Sequence, residues 1–189
     1  MFRSNRGPAV VAAIFCLSVA LISVSIPANS TTYIGLYADE AHSECSLYPA
    51  PFTVVYLWVW IQPGEDGLNC ADYEITTPSN VIQAATILNP AAGYQIGDAI
   101  VPPGSTVCFP ACQTDWIWTH QLTCLVTDTT PSIVTLDPHD DYGILRSENC
   151  VDFGEPYETM TKINDLFLNQ GCCLATQSAS WGAVKSLMK

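Results

Sequence analysis

The sequence predicts an all-β fold, a disulfide-stapled antiparallel β-sandwich of immunoglobulin-like (Ig-like) or related type with a short C-terminal helix. Short segments rich in β-branched and aromatic residues recur at spacings of about 8 to 12 residues, with turn signals between them. No long amphipathic helix separates these segments, which favours a sandwich over a fold of alternating strands and helices. The cysteine content and an export signal complete the prediction, because disulfides persist in oxidising compartments.

Residues 1–30 are predicted to be an export signal. Met1–Gly7 carries two arginines and no acid, Ala9–Ile26 is an uncharged, mostly apolar stretch of 18 residues, and Ala28-Asn29-Ser30 supplies small residues for a signal peptidase. Cleavage after Ser30 leaves one secreted domain, residues 31–189, without a membrane span, in the extracellular space, on the cell surface or in a periplasm. An uncleaved anchor is the alternative, because the apolar stretch is close to the lower length limit for a span.

Eight of the nine cysteines follow the signal, and this even number predicts that all of them form disulfides. Cys172 and Cys173 are expected to bond to different partners, since a bond between neighbours needs a strained ring. One of them is expected to tie the C-terminal segment to Cys150. A metal-thiolate site is not expected, because the chain has no C-x-x-C pair. The eight cysteines are Cys45, Cys70, Cys108, Cys112, Cys124, Cys150, Cys172 and Cys173.

The predicted mature chain is strongly acidic. It carries 18 Asp and Glu against four Lys and Arg, and 4 minus 18 gives a net charge of −14 with neutral histidines. Such a surface repels phosphate backbones, so nucleic-acid binding is excluded. The acids are interpreted as solubility determinants, with Ca²⁺ binding as the alternative, although no EF-hand pattern is present. No other cofactor is predicted.

The first predicted strands place the most apolar segment at the centre of a sheet. Thr32–Ala38 alternates in the manner of a strand. Phe52–Ile61 is a run of ten uncharged residues that is apolar on both faces, which predicts a central strand covered on both sides. Pro63–Gly67 is typical of a turn, so Cys70–Thr76 is predicted to be the hairpin partner of Phe52–Ile61.

Six more strands and the helix complete the predicted elements. Proline, glycine or aspartate marks the connections between the strands. At Ser180–Lys189, Ser180 caps a helix whose apolar stripe is suited to docking on the domain or on a partner. The stripe consists of Trp181, Val184, Leu187 and Met188. The six strands are Val81–Leu88, Tyr94–Val101, Ser105–Phe109, Asp115–Thr119, Leu122–Thr127 and Ser132–Leu136.

Two pairs of tryptophans are the candidates for ligand contact. Trp58 and Trp60 are two residues apart in one predicted strand, and Trp116 and Trp118 are two apart in another, where His120 extends the row. Such a row stacks on sugar rings when a sheet face is exposed and belongs to the core when that face is buried. Because the first strand is apolar on both sides, Trp58 and Trp60 are assigned to the core. A core position is also favoured for the second row, and Trp116, Trp118 and His120 are the candidate ligand-stacking residues if that face is exposed. An apolar subunit interface is the next alternative for either pair.

No motif in the chain specifies a reaction, and no catalytic residue is predicted. The G-x-S-x-G elbow of serine hydrolases and the glycine-rich phosphate loop are missing. His42, His120 and His139 have acidic neighbours in the sequence but no metal-binding spacing. Enzymatic activity stays open on this basis, and a non-catalytic role is favoured.

These features predict a non-catalytic secreted or cell-surface protein with a structural, adhesive or binding role. The expected partners are further copies of the chain, another component of a cell surface, or a glycan. The alternative is a carbohydrate-binding module or a small secreted hydrolase that uses exposed tryptophans and acidic residues.

Overall fold

The computed structural model describes residues 31–151 and 157–171, and every regular element in these ranges is a β-strand. The predicted export signal, residues 1–30, and the predicted helix, Ser180–Lys189, lie outside the described residues. Within them, no helix is long and apolar enough to cross a membrane. The strands are β1 (Tyr33–Tyr37), β2 (Ser46–Leu47), β3 (Thr53–Gln62), β4 (Leu68–Thr76), β5 (Val81–Leu88), β6 (Tyr94–Asp98), β7 (Val101–Gln113), β8 (Ile117–Val126), β9 (Ser132–Asp137), β10 (Arg146–Glu148), β11 (Glu158–Thr159), β12 (Thr161–Asn164) and β13 (Leu166–Leu168).

The first sheet has five strands in the order β12-β1-β3-β8-β5. Strand β3 pairs with β1 on one side and with β8 on the other, both antiparallel, so the predicted central position of this strand is confirmed. Strand β5 pairs with β8 and ends the sheet. Strand β12 pairs with β1 in parallel. The prediction of a wholly antiparallel sheet is therefore wrong at this strand.

The second sheet has eight strands. Six of them follow the order β11-β10-β4-β9-β13-β2, while β7 pairs with β4 and β6 pairs with β7. The pair β2 and β13 is parallel, and the other pairs in this sheet are antiparallel. The two sheets therefore confirm an all-β, two-layer architecture.

The core lies between the two sheets. Alternate residues of β3, from Val55 to Ile61, are buried there, as strand geometry requires when one face covers a core. Tyr73 and Ile75 of β4 pack from the opposite sheet, and both are at most 1% exposed. Burial of each such side chain stabilises the fold by about 1.5–3 kcal/mol.

The predicted hairpin between Phe52–Ile61 and Cys70–Thr76 is wrong. Strand β3 lies in the first sheet and β4 in the second, so Pro63–Gly67 carries the chain from one sheet to the other. Gly67 has a φ of 74°, and a Cβ on it would lie 2.9 Å from the Cys150 sulfur, so the position requires glycine. Turn residues report a change of chain direction and not which strand is the next partner.

The described residues contain two complete disulfides, which confirms the predicted stapling. Cys70–Cys108 joins register partners on β4 and β7. Cys112–Cys150 joins the end of β7 to the segment after β10. Cys45 is disulfide-bonded as well. The Cys112 bond corrects the expectation that Cys150 joins Cys172 or Cys173, which both lie outside the described residues.

Cys124 is a free thiol, which corrects the prediction that all eight cysteines pair. It lies on the inward face of β8, is 0% exposed, and is opposite Val55 of β3 and Gln83 of β5. Burial raises the pKa of the Cys124 thiol to about 11. The even count failed here because an inward-facing cysteine serves as a small apolar core residue.

A buried ion pair holds β10 against β4. Arg146 Nε donates a hydrogen bond of 2.5 Å to Asp72 Oδ2, and the two side chains are 13% and 4% exposed. The guanidinium also lies over the rings of Tyr142, at 3.4 Å, and Tyr157, at 3.8 Å. The Thr106 hydroxyl donates to the same aspartate. The contacts of the Arg146 side chain therefore stabilise the fold.

Candidate binding face

The outer face of the five-stranded sheet is the candidate functional site, and we call it the binding face. The four strands β1, β3, β5 and β8 contain no Asp, Glu, Lys or Arg. Residues directly opposite each other on neighbouring strands share one face of a sheet, and the register therefore defines the members of the face. Its larger side chains include Tyr37, Val54, Tyr56, Trp58, Trp60, Ile82, Ile87, Trp118, Gln121 and Leu125.

One part of the binding face is a groove between tryptophans, which we call the tryptophan groove. It has a volume of about 250 Å³ and is lined by Trp58, Trp60, Trp118, Gln121 and Glu40. Trp60 is opposite Trp118, and Trp58 is opposite Gln121, so β3 and β8 bring all four side chains to the same face. Glu40 comes from the exposed loop after β1. The groove thus offers indole surface together with one carboxylate and one amide.

A second aromatic cluster contacts the tryptophan groove at Trp60. The His42 ring stacks on Trp116, with ring centres 4.3 Å apart and planes at 18°, and lies 4.9 Å from the ring of Trp60. Tyr37 contacts both His42 and Trp116 edge-on. Burial lowers the pKa of His42, although the negative charge of Asp39 acts in the opposite direction. The lowered pKa favours the neutral ring. The cluster is therefore an apolar wall beside the groove.

Asp39 shapes the loop that carries Glu40 and His42. Its carboxylate accepts hydrogen bonds from the backbone N–H groups of Ser43 and Glu44, each at 2.9 Å, and from the Ser43 hydroxyl at 2.6 Å. Burial works against ionisation, but these hydrogen bonds outweigh it and lower the pKa of Asp39. His42 has a φ of 45°, a conformation that the capped loop supports. Residues of the loop are thereby held against the sheet.

The other part of the binding face is apolar and open, and we call it the apolar flank. It consists of Val54 and Tyr56 on β3 and Ile82 and Ile87 on β5, which are between 49% and 54% exposed. The partly buried Leu125 lies opposite Ile82 and Val54. This corrects the prediction that Phe52–Ile61 is covered on both sides, because no described element packs over these residues.

The structure separates the three predicted ligand-stacking residues. Trp118 lines the tryptophan groove, and Trp116 lies just before β8 in the aromatic cluster. His120 is 0% exposed and faces Tyr73 in the core. The row is broken by a bulge, since Trp60 is opposite Trp118 while its neighbour Val59 is opposite His120, which turns His120 inward. His120 is therefore unavailable to a ligand.

Among the described residues, the histidines and their acidic neighbours are not grouped into a metal site. In residues 31–151 and 157–171, no group of three or more His, Cys, Asp or Glu side chains is arranged to hold a metal ion. His139 stacks on Tyr142 with ring centres 4.8 Å apart, and its Nδ1 accepts a hydrogen bond of 3.3 Å from the Asp141 N–H. Its role there is to hold a turn. The predicted docking stripe, Trp181, Val184, Leu187 and Met188, lies outside the described residues.

Sequence reasoning missed the larger part of the binding face. The core assignment holds for Trp58, which is only 9% exposed although it lines the groove, but it misses the partly exposed Trp60. The apolar flank was not foreseen. The sequence signal for this face was that Phe52–Ile61 is apolar on both faces of its strand. A central strand with two apolar faces has a core on one side, and its other side is either covered by the same chain or left for a partner.

No protein-family model matches this sequence, and no curated protein matches it. Among solved structures, the chain is similar to the sixth cohesin from scaffoldin B of Acetivibrio cellulolyticus, crystallised in complex with a mutant Cel5 dockerin. The identity is 9%, the similarity covers 72% of this chain and 97% of that chain, and the TM-score is 0.49.

Proposed function

We propose that this chain is a secreted, non-catalytic binding domain that attaches to a surface partner through the binding face. The observation that carries the proposal is a contiguous face on four strands without a charged residue, in a protein whose net charge is −12. The apolar flank leaves four large side chains about half exposed. An apolar patch on an otherwise charged surface is typical of an interaction site.

The energetics of the apolar flank support attachment. Each Å² of apolar surface removed from water contributes about 25 cal/mol, so a partner that covers these side chains gains affinity without a charged contact. The sheet beneath them is rigid, because β3 and β8 are paired along their whole length. Little conformational entropy is then lost at the interface. Two disulfides suit the domain to an oxidising compartment.

The test is attachment of the fluorescently labelled mature domain to intact cells of its source. Tyr56→Asp places a charge in the apolar flank, and we expect it to reduce attachment by about tenfold or more, since a buried unpaired charge is costly. Tyr48→Asp is the matched control, because Tyr48 is 69% exposed and lies beside β2 in the other sheet. Equal attachment of wild type and Tyr56→Asp would contradict the proposal.

A second candidate function is carbohydrate binding in the tryptophan groove. Three indoles offer stacking surface for sugar rings, and Glu40 and Gln121 offer hydrogen-bond partners for hydroxyl groups. The same side chains would serve in a binding module without any catalytic step.

A titration with soluble polysaccharides, followed by tryptophan fluorescence, tests this candidate. We expect Trp118→Ala to remove the signal change, while Trp116→Ala, which lies outside the groove lining, retains it. A flat titration of the wild type across neutral and acidic polysaccharides would contradict carbohydrate binding and leave attachment through the apolar flank untouched.

A further inference from the structure

The edge strands of the two sheets differ in how well they are protected against pairing with another chain. Strand β12 carries Lys162, and β2 and β11 are two residues long, all features that discourage addition of a strand. Strand β6 is five residues long and contains Asp98, and its register shifts at Gly97. Charge, shortness or irregularity therefore protects each of these strands.

Strand β5 has the least protection. It is eight residues long, Val81–Leu88, and contains no charged residue and no proline. Among the described residues only β8 pairs with it, so one side of its backbone has no strand partner. Unpaired N–H and C=O groups along an uncharged edge form a template for a further strand. A bulge between Gln83 and Ala85 gives β5 an irregularity like that of β6, but β5 is longer than β6 and lacks its charge.

The exposed side chains of β5 continue the apolar flank to the edge of the sheet. Ile82 and Ile87 are 54% and 49% exposed, and their partners on β8, Leu125 and Gln121, place both on the binding face. A strand added to β5 would continue the sheet and thereby extend the binding face. It would pair with the backbone edge and place its own side chains beside the two isoleucines.

We propose that a second copy of this chain adds its own β5 to this edge, antiparallel and related by a two-fold axis, to make a continuous ten-stranded sheet. The inference goes beyond the proposed function, because it adds a contact between copies at the edge where the binding face ends. An axis beside Ala84 and Ala85 brings Ile82 of one copy opposite Ile87 of the other, since 82 and 87 are equidistant from that point. Such a contact is isologous, with the same patch used twice.

The distribution of acidic residues favours the β5 edge over the other edges for the contact between copies. Two chains that each carry a net charge of −12 repel one another over most approaches. Strands β5, β8 and β3, which would lie closest to the two-fold axis, contain no acid. The copies can therefore meet at β5 without bringing carboxylates together, whereas an approach at β6 places Asp98 beside the other copy.

Sedimentation velocity of the mature, disulfide-bonded chain over a range of concentrations tests the proposal. We expect a monomer–dimer equilibrium, and Ile87→Lys should raise the dimer dissociation constant by about tenfold or more, because it places two cations beside the axis. This variant lowers the net negative charge, so general repulsion cannot explain the loss. Ile96→Lys is the matched control, because Ile96 is 64% exposed on β6, and it should dimerise like the wild type.

Hydrogen exchange supplies a second readout that does not depend on a substitution. Amides of residues 81–88 should become more protected as the protein concentration rises, while those of β6 should not change. Amides of β5 that are protected equally at every concentration would assign the edge to a segment of the same chain and overturn the proposal.

The two proposals fail in distinguishable ways. A wild type that stays monomeric, with cell attachment still lost in Tyr56→Asp, overturns the dimer and leaves the proposed function standing. A dimer that Ile87→Lys does not weaken places the contact elsewhere and also overturns the inference. A dimer weakened by Ile87→Lys, in a protein whose cell attachment is unaffected by Tyr56→Asp, supports the inference and overturns the attachment to cells.

Discussion

His120 shows how one residue can serve the fold while its sequence neighbours serve the surface. Its Nδ1 is hydrogen-bonded to the Tyr73 hydroxyl, which also lies 2.5 Å from Thr119 Oγ1. The three side chains are each 0% exposed, and among the described residues His120 Nε2 has no hydrogen-bond partner. A neutral ring accepts from Tyr73 at Nδ1. The residue is thus a neutral polar link between the two sheets.

The stability of the domain should fall in mild acid because of His120. Burial lowers the pKa of His120 from 6.5 to about 4, against the opposing charge of Asp98. The unfolded chain then binds the proton more readily than the folded chain. The contribution of neutral His120 to the unfolding free energy is therefore present above pH 6.5 and is lost as the pH falls from 6.5 to about 4. Between about pH 7 and about pH 4, the wild type should lose about 3 kcal/mol more unfolding free energy than His120→Gln.

Urea unfolding of both proteins at the two pH values measures this difference. Carboxylates contribute to the pH dependence of both chains, so the comparison isolates the histidine. Equal losses in wild type and His120→Gln would show that His120 does not titrate between its folded and unfolded values.

Cys124 should react only when the domain unfolds. The thiol is fully buried and its pKa is raised to about 11, so the reactive thiolate is scarce and out of reach in the native state. Intact-mass measurement after treatment with iodoacetamide should show no alkylation at Cys124 in buffer and full alkylation in denaturant. Cys70 and Cys108 are the internal control, because their disulfide should prevent alkylation in both conditions unless a reductant is added. Alkylation of Cys124 in buffer would contradict the core position.

At the scale of elements, the two described disulfides form a matched pair. Each closes a loop with a sequence separation of 38, so chain entropy predicts the same stabilisation for both, about 4 kcal/mol. Their surroundings differ, since Cys70 and Cys108 are buried whereas Cys112 is exposed. Replacement of Cys70 and Cys108 by alanine should therefore cost more unfolding free energy than replacement of Cys112 and Cys150, because it also leaves a cavity.

Chemical denaturation of the two double-alanine variants measures both costs. Equal losses would indicate that loop closure alone determines the contribution of each bond. A larger loss for the Cys112 and Cys150 variant would contradict the expected role of burial.

The elements also show where local reasoning reaches its limit. Val81–Leu88 was predicted with the bounds of β5, and Phe52–Ile61 differs from β3 by one residue at each end. Asp115–Thr119 and Leu122–Thr127 are a single strand, β8, because its bulge disguises the alternation. Strands β2 and β10 to β13 were missed, since elements of two to four residues are too short for a period to show and form only through pairing with distant strands.

At the scale of the whole molecule, charge and apolar surface are separated. The four strands of the binding face hold no charged residue, while the chain as a whole carries 18 acids against six Lys and Arg. Acids make two copies repel one another, and the uncharged face is the surface where our proposals place the contact. This division explains how an exposed apolar sheet face is compatible with the secreted domain that we propose.

Self-association should therefore strengthen with salt. Repulsion between two negatively charged copies is screened as ionic strength rises, whereas the burial of apolar side chains is not. We expect the dimer dissociation constant to fall several-fold between about 0.01 M and about 0.15 M ionic strength, where the Debye length falls from about 30 to about 8 Å. Sedimentation velocity at the two ionic strengths measures the change. Weaker association in salt would indicate an interface of opposite charges and would contradict contact at β5.

The sequence by itself determined the all-β class, the stapling by disulfides, the central place of the segment around Trp58, and the acidity of the chain. These follow from composition and from local alternation, which each segment carries within itself. Only the tertiary structure decided that Cys124 is unpaired, that His120 points inward, and that the outer side of β3 is open. Each of these depends on which distant strand lies opposite and on one bulge in the register, and no local pattern contains that information.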